Sequence, residues 1–260
     1  EALKTANLVV PGSPQQRAIT EQCSAYYGQK RATGTPPAFG AVQTWAVCGY
    51  LPSQIRDAYG VSAAGYTGTG ETVAILSGDN DSTGEADANQ WATNRGEPPF
   101  TSGQYTSIIG SGTPNGVGDV ESALDIEAVH GMAPAANVVY SAGSGSVTGD
   151  YLLDGYAQVV SDPNVDVVTS SWYDGYIGQV PQSVITAWEG YLATGASEGQ
   201  TVDFATGDYS DTTPLQYPGS DPMITCVGGT SLAIGKNDKK LWEAPWASDE
   251  TGLNSSGTAW

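Results

Sequence analysis

The stretch 118–128 reads GDVESALDIEA and holds Glu121 and Asp125 four residues apart, with no Lys or Arg between or beside them. Four residues slightly overshoot one helical turn, so both carboxylates project from one face, about 40° apart around the axis. One reading of the pair is a solvated acidic face, favoured at Glu121 by the positive N-terminal end of the helix. The other starts from Val120, Leu124 and Ala128, an apolar stripe expected to draw the carboxylates toward the edge of the core. Close, part-buried carboxylates do not both ionise cheaply, so one keeps its proton. The pair then has the chemistry of a general base with an orienting partner. Asp119 is read as the cap of this helix, accepting from its first free N–H groups.

Two further residues bear on chemistry. In TVDFATGDYSD, Asp208 lies just past a strand, at the edge where open α/β sheets place their ligand-binding loops; Gly-Asp is also a common turn pair. His130 is the single histidine, so any Ser-His-Asp mechanism must use it. It precedes Gly131 at the expected end of the helix, where a cation is ordinarily structural.

These residues need a scaffold. Apolar, β-branched runs at 72–77, 137–142, 165–171, 201–206 and 223–228 read as strands. Segments 85–95, 119–131, 150–161 and 183–195 between them have the length and spacing of helices. Continuous apolar strands separated by helices predict an α/β fold, a doubly wound and mainly parallel sheet with helices on both faces. Residues 1–49 carry closely spaced Pro and Gly and read as a linker or the tail of a pro-segment, and 50–260 as the N-terminal portion of the α/β domain.

Composition narrows the partners. Nine Lys plus Arg stand against 28 Asp plus Glu, a net charge of -19, which excludes nucleic acid and anionic membranes as natural partners at neutral pH. The same balance suits work in acid, where self-repulsion falls. The 34 Gly residues and the many Ser and Thr look extracellular, and no apolar run of membrane-spanning length occurs, so a secreted product is expected. Cys23 and Cys48 are read as a disulfide; Cys226, flanked by Ile224 and Val227, is read as a buried small hydrophobe or as the partner of a group outside this chain.

Read in order, GDVESALDIEAVHGMAPAANVVY, SDPNVDVVTSSW, TVDFATGDYSD and YPGSDPMITCVGGTSL resemble the sedolisin family of serine-carboxyl peptidases, which have a subtilisin-like fold. The resemblance runs from about residue 48 to 260, and CGYLPSQIRDAYG resembles the lead-in to that family's catalytic domain. It implies that Glu121 is the general base, Asp125 the acid bonded to it, and Asp208 the oxyanion stabiliser, where subtilisins use Asn. An Asp can donate to a developing oxyanion only when protonated, and a Glu base is matched to acid by its ordinary pKa of about 4.3.

The departure is the nucleophile, which the family carries in a GTSxxxP motif. The GTS here, 229–231, runs into a strand-like LAI with no Pro at the required place. Ser231 is therefore read as a decoy and the nucleophile as unknown. The family's serine and a calcium site lie further toward the C-terminus, so calcium is implied only by resemblance, with its ligands outside this chain. The expectation is an N-terminal portion of an acid-acting endopeptidase or tripeptidyl-peptidase of protein or peptide substrates, either cleaved into two chains that stay associated or truncated, and inactive alone. Trp172, in the SSW at a strand end, is read as a wall of the substrate cleft or as ordinary packing. The alternatives are a non-catalytic subtilisin-like domain that binds a partner or inhibitor, and a different hydrolase built on His130.

Overall fold

The computed structural model describes residues 23–33, 36–37, 40–114, 120–145, 150–208 and 214–245. The chain divides into two compact units, one holding residues up to Ala64 with Ser231–Ala244, the other the residues from Gly65 to Thr230.

The first unit contains helices α1 (Pro52–Ala58) and α2 (Val61–Ala64) and a two-stranded sheet of β9 (Thr230–Ile234) and β10 (Lys240–Pro245). Cys23 and Cys48 form the expected disulfide. The segment between them is irregular, held by isolated bridges between Ser24 and Val47 and between Arg31 and Thr44. Tyr50 ties this unit together: its hydroxyl donates to the Leu232 carbonyl at 3.2 Å and accepts from the Ile234 N–H at 2.8 Å. Ser231 sits in β9, as the strand-like LAI run predicts.

The second unit is built on a six-stranded sheet in the order β2-β3-β1-β4-β6-β8. Its strands are β1 (Thr72–Ser77), β2 (Tyr105–Ile109), β3 (Asn137–Ala142), β4 (Val167–Ser170), β6 (Thr201–Ala205) and β8 (Thr225–Val227); a short pair, β5 (Gly175–Tyr176) and β7 (Gln216–Tyr217), lies apart from them. The ladders that join the six are parallel. Helices α3 (Gly84–Arg95), α4 (Val120–Met132), α5 (Tyr151–Val159) and α6 (Gln182–Glu198) connect them. Two apolar clusters lie on opposite faces of the sheet. Ala74 and Leu76 of β1 join Leu153, Tyr156, Trp188 and Leu192 of α5 and α6, whereas the intervening Ile75 joins Ala88 of α3 and Ile126 of α4. Burial on both faces explains why β1 reads as one unbroken apolar run.

Several features of the sequence reading need correction or fall outside the described residues. Strand β2 was absent from the sequence reading, because YTSII at the sheet margin is exposed over its middle residues and lacks an apolar run. The stripe of Val120, Leu124 and Ala128 faces solvent, with Val120 51% and Leu124 54% exposed. The buried side of α4 is instead Ser122, Asp125, Ile126 and His130. Polar residues take the core face because they find partners there: Ser122 Oγ meets the Tyr140 hydroxyl at 2.8 Å, and His130 Nε2 meets the Pro98 carbonyl at 2.7 Å. Cys226 is exposed, not buried, because β8 is the marginal strand of the sheet among the described residues. Asp119 and the stretch after Pro245 lie outside the described residues.

Candidate functional site

Parallel strands deliver their following loops to one edge of the sheet, where open α/β folds bind ligands. In this unit β1, β4 and β6 are neighbours in that order, so Asp79, the turn 171–174 and Asp208 emerge side by side. Helix α4 lies against β1 and β3 and brings Glu121 and Asp125 from its first turns. Glu121 is half-buried and Asp125 is buried at 9% exposure. The carboxylates therefore sit at the core margin, as the sequence suggests, although the helix face that carries them there is not the apolar one.

Asp125 is anchored from a second element. Ser171, the first residue after β4, donates from Oγ to Asp125 Oδ1 at 2.6 Å. This serine carried no signal of its own, since a serine at a strand end is commonplace.

Asp208 is exposed and follows Gly207, whose φ of 87° belongs to the left-handed region. A Cβ there would also lie 2.7 Å from the Gln216 side chain, so only Gly makes this turn without strain. Just before it, the Thr206 N–H donates to the Val227 carbonyl at 2.9 Å, so the strand pairing holds as far as the loop.

Trp172 packs against the α5–α6 side of the core and lines a cleft of 380 Å³. Asp79, Asp150, Tyr151, Tyr173 and Asp174 line the same cleft. Asp174 accepts from Trp188 Nε1 at 2.6 Å. Burial, reinforced by the Asp150 charge and by a hydrogen bond with Asp150, pushes the Asp174 carboxyl up to about 8. Asp150 caps α5, accepting from the N–H groups of Leu152 at 2.9 Å and Leu153 at 3.0 Å. The raised Asp174 carboxyl makes Asp174 the protonated member of the pair. Sequence reasoning missed this pair because 24 residues separate two ordinary-looking acids.

His130 is fully buried, its ring 3.9 Å from that of Phe100, and so is not presented at this edge. No group of three or more His, Cys, Asp or Glu that could hold a metal ion occurs among the described residues. Asp81, in the acid-rich DNDSTGEAD, is instead spent on its own turn, accepting from the Thr83 N–H at 3.0 Å and hydroxyl at 3.1 Å. The described residues of this stretch do not fit a calcium site. Among the described residues no helix is long and apolar enough to cross a membrane.

Pseudomonas sedolisin, a serine-carboxyl proteinase solved with two molecules of pseudo-iodotyrostatin, is similar with a TM-score of 0.68 and 26% identity, over 82% of this chain and 61% of that one. The fold is subtilisin-like. More distant in structure are a lanthipeptide protease (TM-score 0.49, 13% identity, 73% of this chain and 57% of that one) and fervidolysin from Fervidobacterium pennivorans, a keratinolytic enzyme related to subtilisin (TM-score 0.43, 15% identity, 71% and 27%). The chain thus spans less than two thirds of the sedolisin structure. No family model matches the chain, and neither does any curated protein. In this subtilisin-like arrangement Glu121, Asp125 and Asp208 share one edge of the parallel sheet with Trp172 and its cleft.

Proposed function

We propose that this chain carries the general base, its orienting acid and the oxyanion group of a serine-carboxyl peptidase of the sedolisin kind. The observation that supports this best is that Glu121 and Asp125 lie in the first turns of α4 and Asp208 in the loop after β6, both elements opening on the carboxyl edge of the parallel sheet. In the mechanism, a serine hydroxyl attacks the scissile carbonyl while Glu121 takes its proton and returns it to the leaving amine. Asp125 orients Glu121. Asp208, protonated in acid, donates to the oxyanion; ionised, it would repel the developing charge. Trp172 and the cleft beside it receive the peptide. The nucleophilic serine is assigned to a C-terminal part beyond Trp260, on the same polypeptide or on an associated second chain. The protein acts in acid, outside the cell, on protein or peptide substrates.

The test uses the native protein with every chain that accompanies it. Hydrolysis of an unfolded protein near pH 4, close to the ordinary carboxylate range, should fall about 10²- to 10⁴-fold in Glu121→Ala, the usual contribution of a general base. Equal rates in the two samples would remove Glu121 from the mechanism. The strand position of Ser231 favours one second reading, a non-catalytic domain that binds a partner or inhibitor. Absence of hydrolysis in the complete native preparation would support it.

A further inference from the structure

We infer that Ser171 is a positioning residue for the carboxylate pair, holding Asp125 Oδ1 so that Oδ2 is the oxygen that serves Glu121. The inference rests on the reading of Glu121 as base and Asp125 as its partner.

The hydroxyl-to-carboxylate distance is 2.6 Å, in the range of charge-assisted O–H···O⁻ bonds and shorter than a neutral hydroxyl pair requires. An unprotonated carboxylate oxygen is the stronger acceptor, so the bond favours Oδ1 as the oxygen without the proton. Any proton shared within the pair then lies between Oδ2 and Glu121. Without the Ser171 hydroxyl, rotation about the carboxylate axis exchanges the two oxygens, and the proton of the pair has two sites in place of one.

The exposures of the two residues show which of them the bond serves. Ser171 is exposed, whereas Asp125 is buried. The bond therefore adds little for the serine and orders the carboxylate. It also spans two elements, since 46 residues separate Asp125 on α4 from Ser171 beyond β4. The donor is set rigidly. Ser170, the residue before it, ties its own hydroxyl to the Leu76 carbonyl at 3.0 Å, and that Oγ accepts from the Trp172 N–H at 3.2 Å. The backbone on both sides of Ser171 is thus fixed to the central strand, and the hydroxyl meets Asp125 from a fixed point. The next residue, Trp172, lines the cleft, so the same short turn that shapes the cleft also orients the acid.

The experiment compares kcat, KM and Tm of Ser171→Ala, Ser171→Thr and Glu121→Ala with the native protein, all chains present, on one peptide substrate near pH 4. Ser171→Ala should lose about ten- to a hundredfold in kcat, the value of a hydrogen bond to a charged group, with KM within about twofold. Ser171→Thr keeps the hydroxyl and should recover most of the loss, while Tm stays near the native value in both. The inference is overturned if Ser171→Ala keeps native kcat, if KM rises while kcat holds, or if Thr rescues nothing. Loss of activity in Glu121→Ala with native kcat in Ser171→Ala defeats this inference alone. Native activity in Glu121→Ala, or no activity in the native protein, defeats the proposed function and this inference with it.

Discussion

Asp208 is the residue where protonation and function are most directly opposed. It is exposed, set by the left-handed turn at Gly207, and as an oxyanion donor it works only with its proton on. Asp208→Asn replaces a titrating donor by a permanent one of nearly the same shape. Its activity should therefore extend further toward neutral pH than that of the native protein, whereas Asp208→Ala should lose about 10²- to 10³-fold in kcat in acid, where the native donor carries its proton. Profiles of kcat against pH for the three proteins decide this, and superimposable native and Asn profiles would take Asp208 out of the oxyanion role. His130 gives the converse prediction. It is buried against Phe100 and bonded to the Pro98 carbonyl, so His130→Gln should lower Tm and leave kcat per folded molecule near native. Loss of kcat with an unchanged Tm would revive a histidine-based hydrolase.

Among the elements, α5 and the turn after β4 share a proton. Asp174 has a carboxyl at 3.8 in an unfolded chain, pushed up to about 8 here by burial first and by Asp150 second. Between those values the folded protein holds a proton that the unfolded chain has released. The associated stability is fully present below the unfolded value and is lost as pH rises toward the folded one. Asp174→Asn retains an acceptor for Trp188 and a donor toward Asp150 but cannot titrate. Denaturant unfolding at several pH values from 4 to 8 should show the native protein losing stability more steeply than the variant, by about 1 kcal/mol per pH unit. Parallel slopes would place the proton elsewhere.

The legibility of elements from sequence followed what each one buries. Strands β1 and β3 lie between two helical layers, so their apolar runs were readable nearly to the residue. β2 at the margin offered no such run. Helix α4 was located correctly and oriented wrongly, because Ser122, Asp125 and His130 occupy its core face through partners on other elements. The carboxylate pair was visible as a local spacing, whereas Ser171 and the Asp150–Asp174 pair depend on contacts between distant segments that hydropathy does not encode.

For the whole molecule, the net charge of -19 at pH 7 and an isoelectric point near 4.1 mean that self-repulsion grows toward neutral pH, acting on stability in the same direction as Asp174. The two causes separate by their response to salt. Self-repulsion among exposed carboxylates is screened over a Debye length of about 10 Å at 0.1 M and about 3 Å at 1 M, while a proton held in a buried pair is screened far less. Raising NaCl at pH 7 should therefore raise Tm, and the same addition near the isoelectric point should do little. A rise of equal size at both pH values would point to general salt exclusion from the surface and not to relieved repulsion. At high salt the pH dependence that survives is the buried part, and it should shrink further in Asp174→Asn. Full pH dependence in that variant at high salt would mean that neither the surface charge nor the Asp174 proton governs the pH dependence of stability.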